Sequence, residues 1–398
     1  MADEGTAARD AQLTRLRSEL DAIDSRIVEG LADRLRVIGV IAAFKETQTD
    51  QIRDESREQK LLERIAGQAR NLRLDPHFVT RLFREILEYS VRRQQDHLLA
   101  RERGPDQPII VAYAGAEGAW GHLAAQRHFS PRGDNVEYRA FPTFKAAMEA
   151  VKSGEAHCGM IPIENSTAGP VYENYDLLAQ MDLALVGEEI QPVNNCLLAA
   201  ANVPVESIRR ILTHPNPIAQ CSVFLSRLPE ARVEAFTNTA LAARKVREDG
   251  DLTQAAIASE EAARIWGLTV IARNINDQKE NFTRFVVVGP RHLPCDVRVA
   301  SKTSLIFVTR HEQGALVGCL NVLANRGLNL TKLESRPRPG APWEYVFYVD
   351  FEGNLKSPDV EAALQELTSH VISLKVLGCY PIRTARRPTP PVGGEDIR

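Results

Sequence analysis

The run Asn281-Phe282-Thr283-Arg284-Phe285 sets a hydroxyl and a guanidinium side by side, just ahead of the β-branched stretch Val286-Val287-Val288. A hydroxyl can hydrogen-bond a departing oxygen or relay its proton, and a guanidinium can hold a carboxylate. A second segment, Ile161-Pro162-Ile163-Glu164-Asn165-Ser166-Thr167, reads as a buried strand ending in a polar burst, the place where open α/β sheets bind ligands. A third, Thr213-His214-Pro215-Asn216-Pro217 with Gln220 and Cys221, reads as another strand-to-helix edge. Each has a plain alternative. Thr-Arg pairs are common in strands, the polar burst can be a cap or a turn, and a lone His is more often a satisfied structural group. A glycine loop, Gly115-Ala116-Glu117-Gly118-Ala119-Trp120-Gly121-His122, follows a strand and opens a helix, where backbone N–H groups can bind an anion. Its spacing is G-x-x-G-x-x-G, so the dinucleotide fingerprint is absent.

The elements that must position these residues change character along the chain. Before Pro76 there is no proline, and Leu13, Leu16, Leu20, Ile23, Ile27, Leu31, Leu35 and Ile38 recur at three- and four-residue steps. They predict one long amphipathic helix from Gln12 to Phe44, on the order of 50 Å, longer than a small domain is wide. A partner chain is therefore expected against it. Further helices are expected from Asp54 and from Asp75-Pro76, an Asp cap with proline in the first turn. From Ile109 short apolar runs alternate with helical stretches such as Ile218 to Leu228, an α/β layout. After Gly289-Pro290 the order reads βαββαβ, a ferredoxin-like module. The expected domains are residues 10–102 (all-α), 108–290 (α/β, two lobes) and 301–382 (βαββαβ), with residues 383–398 a disordered tail.

The chain has 398 residues, a formal net charge of -3 and a pI near 6.3. No basic field attracts nucleic acid or an anionic membrane, so an anion must be held by local clusters. No stretch is apolar enough to span a bilayer, and the cytoplasm is the expected location. Six scattered cysteines without a C-x-x-C pair argue against a zinc site or disulfide framework and read as reduced thiols.

Taken together, these segments resemble the bifunctional chorismate mutase/prephenate dehydratases with a C-terminal ACT regulatory domain. In the helical region Arg17, Arg34, Lys45, Asp54, Arg57, Glu58, Ser90 and Gln94 match that family's mutase site. The resemblance implies that Arg17, Arg34 and Arg57 hold the carboxylates of chorismate and that Lys45 and Gln94 donate to its ether oxygen. Glu58 then orients the ring hydroxyl, with Asp54 and Ser90 in support. Such a concerted rearrangement needs charge placement and restraint, and no cofactor or metal. Arg17 and Arg34 lie about 25 Å apart on a continuous helix and on different faces, so Arg17 is expected to reach a partner's site in a helix-exchanged homodimer, with a tetramer left open. The competing reading of these charges is the solvated side of a coiled coil.

For the second region, a two-lobed, periplasmic-binding-protein-like α/β domain, the resemblance implies loss of carboxylate and ring hydroxyl from prephenate. Thr283 is the implied catalytic hydroxyl and Arg284 the anion holder. Asn165, Ser166, Thr167, Thr213, Gln220 and Phe285 line the implied site. The glycine loop departs from the family, with Ala119 and Gly121 where hydroxyl residues are usual. In the third region Gly314, Ala315, Leu316 and Val317, with a loop Glu334-Ser335-Arg336-Pro337, match the family's L-phenylalanine effector site and imply feedback inhibition. The rival from another class is a non-catalytic amino-acid sensor, because two-lobed folds and ACT modules also serve as binding proteins.

Overall fold

The computed structural model describes residues 2–45, 55–101, 108–130, 135–295, 297, 300–338, 340–341 and 344–383, and in the helical region it omits the side chains of residues 2–11, 39, 41–45, 55–59, 88 and 91–101. The chain divides into two compact units, Met1–Glu102 and Arg103–Arg398.

The first unit is three helices, α1 (Ala2–Lys45), α2 (Glu55–Asn71) and α3 (Pro76–Arg101). The expected Asp cap of α3 is present: the His77 amide donates to Asp75 Oδ1 at 2.9 Å. Among the described side chains only Ile65, Ala69 and Ser90 are buried. The periodic apolar stripe of α1 is left open, with Leu13, Leu16, Leu20, Ile23 and Ile27 between 42% and 57% exposed. A single copy of this unit does not bury its own apolar face.

The second unit opens with β1 (Ile109–Ala114), α4 (Trp120–Phe129), β2 (Val136–Phe141), α5 (Phe144–Ser153), β3 (Cys158–Asn165), the short β4 (Gly169–Pro170), α6 (Tyr172–Gln180) and β5 (Ala184–Pro192). The chain then builds β6 (Cys196–Ala199), β7 (Arg210–Thr213), α7 (Pro215–Gln220), α8 (Ser222–Leu225), β8 (Arg232–Ala235), α9 (Thr239–Asp249), β9 (Gln254–Ala258), α10 (Glu260–Trp266) and β10 (Thr269–Ala272). It returns through β11 (Phe282–Gly289) and ends with β12 (Ser301–Thr309), α11 (Ala315–Ala324), β13 (Leu330–Pro337), β14 (Tyr345–Glu352), α12 (Pro358–His370) and β15 (Val371–Pro381).

Three sheets result. The first lobe has the order β2-β1-β3-β11-β5, with β11 antiparallel to both neighbours, and the second lobe has β10-β6-β9-β7-β8. Two crossings join the lobes, β5 to β6 and β10 to β11. Strand β11 is central, which suits its buried Phe285-Val286-Val287-Val288 run. The predicted helix over Ile218 to Leu228 is instead two short helices, broken at Cys221, whose φ of -121° and ψ of 24° are not helical.

The last sheet has the antiparallel order β13-β14-β12-β15, with β-α-β-β-α-β connectivity. One face, with Leu305, Phe307, Phe347, Val349 and Phe351, packs on Val322 and Leu323 of α11 and Val360 and Leu367 of α12. The opposite face, with Ile306, Val308, Val346 and Tyr348, shares a core with Ile161, Ile163, Leu185, Val286 and Val288 of the first lobe. The second and third expected domains are thus successive in the chain but continuous in their core. Gly378 lets β15 cross β5 at backbone contact, because a Cβ there would run into the Leu185 carbonyl oxygen. Glu334-Ser335-Arg336-Pro337, expected as a loop, is the end of strand β13.

Candidate active site

In the helical unit the Arg34 guanidinium donates to Ser90 Oγ, joining α1 to α3, and the Ser90 hydroxyl donates to the Ile86 carbonyl at 2.6 Å. Partial burial of Arg34 lowers its pKa from the ordinary guanidinium value by desolvation. Arg17 is exposed on the same helix. Asp54 and the side chains of Lys45, Arg57, Glu58 and Gln94 lie outside the described residues. The structure therefore brings together one expected pair, Arg34 and Ser90.

In the second unit the end of β3, the start of β11 and helix α7 of the second lobe meet in one hydrogen-bonded cluster. Its centre is Asn165. The Asn165 Oδ1 atom accepts from the backbone N–H of Thr167 at 3.0 Å and of Ala168 at 2.8 Å, from the Thr167 hydroxyl at 2.7 Å and from Gln220 Nε2 at 3.2 Å. Two backbone donors fix which end of this amide is the oxygen. The NH2 end must then face Asn281 Oδ1 at 2.7 Å, Thr283 Oγ1 at 2.9 Å and the Phe282 carbonyl at 3.1 Å. Thr283 Oγ1 is thus an acceptor toward Asn165, and among the described residues its own proton has no other acceptor. Gln220 Nε2 also donates to Thr167 Oγ1 at 2.9 Å, and Asn195 at the first crossing donates to Gln220 Oε1 at 3.3 Å. Ser166 pins β11 to β3 by accepting from the Phe282 amide at 3.0 Å.

A second contact line between the lobes runs through the glycine loop. The Ser259 hydroxyl, which caps α10, donates to the Gly118 carbonyl at 2.9 Å, and Trp266 Nε1 donates to the Glu117 carbonyl at 3.2 Å. Gly118, at φ +84°, has no room for a Cβ against Ala262. His122 Nδ1 accepts from the Gly118 amide at 3.1 Å, so this nitrogen is unprotonated. Burial lowers the His122 pKa, with Glu117 and Glu261 opposing in part.

Other expected site residues lie elsewhere. Arg284 follows Thr283 on a strand, so its side chain leaves by the opposite face. There it donates to Glu188 at 2.8 Å, to Asp350 at 2.6 Å, to Glu164 at 3.3 Å and to the Tyr380 hydroxyl at 3.0 Å. Lys302 adds a second cation on Glu188 at 3.0 Å, and Lys332 reaches Glu164 at 2.5 Å. This buried network joins the first lobe to the last sheet, and the expectation that Arg284 holds an anion beside Thr283 is corrected accordingly: four of its five N–H donors are engaged on the far side. Thr213 is fully buried and donates to the Ile257 carbonyl at 2.8 Å. Phe285 is buried and packs near Gly121 of α4. His214 caps α7, accepting from the Asn216 amide at 3.3 Å.

In the last sheet, Gly314 takes φ +79° just before α11, whose first residues are Ala315, Leu316 and Val317. Arg336 binds Asp176 of α6 in a two-pronged pair at 3.1 and 2.7 Å and stacks 4.5 Å over Tyr172, so it faces the first lobe, whereas Ser335 points to the exposed side. Asn281 was missing from the expected lining. Its signal was its place one residue before β11, within reach of the Asn165 segment once the two strands pair.

The family described as prephenate dehydratase matches residues 111–292, and that described as chorismate mutase type II matches residues 16–95. A bifunctional chorismate mutase/prephenate dehydratase of Enterobacter agglomerans is 38% identical over 94% of this chain and 96% of its own length. Its counterpart in Escherichia coli (strain K12) is 36% identical over 93% and 96%. Among solved structures, a prephenate dehydratase from Arthrobacter aurescens in complex with L-Phe is 30% identical with a TM-score of 0.63, over 69% of this chain and 90% of that one. GqqA, titled a novel type of quorum quenching acylase, is 34% identical with the same TM-score of 0.63, over 69% and 98%. A helical module and a two-lobed α/β module on one polypeptide define the class, a bifunctional enzyme. Within that class, the chain belongs to the bifunctional chorismate mutase/prephenate dehydratases.

Proposed function

We propose that the chain converts chorismate to prephenate in its helical unit and prephenate to phenylpyruvate in its two-lobed unit, with L-phenylalanine as feedback inhibitor. The observation that carries the dehydratase reading is the fixed Asn165 amide, which makes Thr283 Oγ1 an acceptor on one side and leaves its proton for the substrate. In the reaction the C–C bond to the ring carboxylate breaks, its electron pair enters the ring, and the ring hydroxyl departs. Thr283 hydrogen-bonds that oxygen as negative charge grows on it, and a proton from solvent completes the water. Asn165, Ser166, Thr167 and Gln220 hold the hydroxyl in place and close the two lobes over it.

For the mutase, the Arg34 to Ser90 contact supports a site between α1 and α3, with Arg34 and Arg57 on the carboxylates and Lys45 and Gln94 on the ether oxygen. Asp54 and Glu58 complete that lining. The open stripe of α1 supports a homodimer in which a second copy covers it and Arg17 serves the partner's site. The C-terminal module is proposed as an ACT domain, its effector held at Gly314 to Val317 and Glu334 to Arg336. The relative solved with L-Phe supports this. The proposed domain limits are 10–102, 108–290 and 301–382. Among the described residues no helix is long and apolar enough to cross a membrane, and the cytoplasm is the proposed location.

The test is direct. Purified chain given chorismate alone is expected to yield the ultraviolet band of phenylpyruvate, with inhibition by added phenylalanine. Thr283→Ala is expected to abolish dehydratase turnover, spare the mutase and make prephenate accumulate. Turnover of prephenate by that variant at the unmodified rate refutes the assignment.

A further inference from the structure

Arg284 is spent on three carboxylates, so the dehydratase cleft must hold a dicarboxylate with other donors. Asn281 offers one. It is 3% exposed and sits where the second crossing between the lobes enters β11, its carbonyl accepting from the Val193 amide of the first crossing at 2.8 Å. Its side-chain oxygen accepts from Asn165 Nδ2 at 2.7 Å, with the Thr167 hydroxyl at 3.4 Å. Its Nδ2 is sealed from solvent and has no hydrogen-bond partner among the described residues. A buried amide donor left unfilled is destabilising and calls for an explanation. The amide cannot relieve this by turning over. The backbone N–H groups of Thr167 and Ala168 fix Asn165, Asn165 presents its NH2 to Asn281, and Asn281 must answer with oxygen.

We propose that Asn281 is a further substrate-binding residue of the dehydratase, whose carbonyl holds Asn165 in register with Thr283 and whose free N–H is reserved for an anionic oxygen of the bound dicarboxylate. The assignment rests on the dehydratase reading above. Asn281 lies at the base of both crossings, so parting of the lobes to admit substrate leaves it beside Thr283.

Asn281→Asp keeps the shape and the acceptor but exchanges the donor for a second anionic oxygen. Asn281→Ala removes both. With prephenate at about pH 8, both variants are expected to raise KM on the order of 10- to 100-fold, the range for a lost hydrogen bond to a charged group. Burial and the neighbouring substrate anion disfavour the ionised form of the introduced carboxyl, so lowering the pH toward 5 protonates it and lets it donate, and KM is expected to recover in the Asp variant and not in the Ala variant. A purely structural role would not produce that difference. Thermal melts identify a variant that fails to fold, and the other is then decisive: an unchanged KM in Asn281→Ala, or an Asp variant with unchanged KM or no recovery in acid, overturns the proposal. Unmodified chain inert toward prephenate sinks the parent reading and this one with it, whereas active chain with indifferent Asn281 variants overturns this assignment alone.

Discussion

Thr283 and Arg284 show how strongly strand geometry divides neighbours. Adjacent side chains on a strand leave by opposite faces, so one of the pair faces Asn165 while the other is sealed among Glu188, Asp350 and Glu164. Read as a sequence, the pair looked like a hydroxyl and an anion holder for one ligand. The alternation that forbids this was already legible in the Phe285-Val286-Val287-Val288 strand that continues it. Arg284→Ala is expected to destabilise the second unit by about 3–5 kcal/mol, because Glu188 is fully buried and loses a cation. Urea denaturation measures this, and a midpoint unchanged with KM alone raised would return Arg284 to the substrate. His122 gives a pH signature. Its pKa in the fold is below the ordinary histidine value, so the unfolded chain binds the extra proton first and stability is lost as pH falls through about 6.5. Melting of the second unit is expected to fall between about pH 7.5 and 5.5, and His122→Asn, which keeps an acceptor for the Gly118 amide, is expected to flatten that dependence.

Helices and strands with a strong period were legible; the places where tertiary contacts overrule a local pattern were not. The stripe on α1 and the Asp75-Pro76 start of α3 followed from spacing and capping alone. Glu334 to Pro337 looked like a loop because charged and hydroxyl residues crowd it. It is a strand whose alternate residues, Lys332 and Arg336, find their partners Glu164 and Asp176 more than a hundred residues earlier in the chain. The open face of α1 makes a prediction at this scale. If a second copy covers this face as proposed, Leu20→Glu, at a position 57% exposed, is expected to shift sedimentation from dimer to monomer and lower mutase turnover while dehydratase turnover persists. A dimer unaffected by it would place the partner elsewhere.

Across the second unit, the last sheet is clothed on both faces, by its own helices on one side and by the first lobe on the other. Strand β13 grips that lobe at two points, Glu164 directly before the Asn165-Ser166-Thr167 segment and Asp176 in the helix after it. If phenylalanine acts at β13, replacing both Lys332 and Arg336 with Met is expected to weaken inhibition at least tenfold. Calorimetry still registering phenylalanine uptake would separate lost transmission from lost binding, and unaltered inhibition would exclude this route. The shared strand β11 sets the scale of such control. A pull on Arg284 from the far sheet has one peptide unit to travel before it reaches Thr283, and since a misplacement of about 1 Å at a reacting group can cost on the order of 100-fold, such control would need no movement of whole lobes.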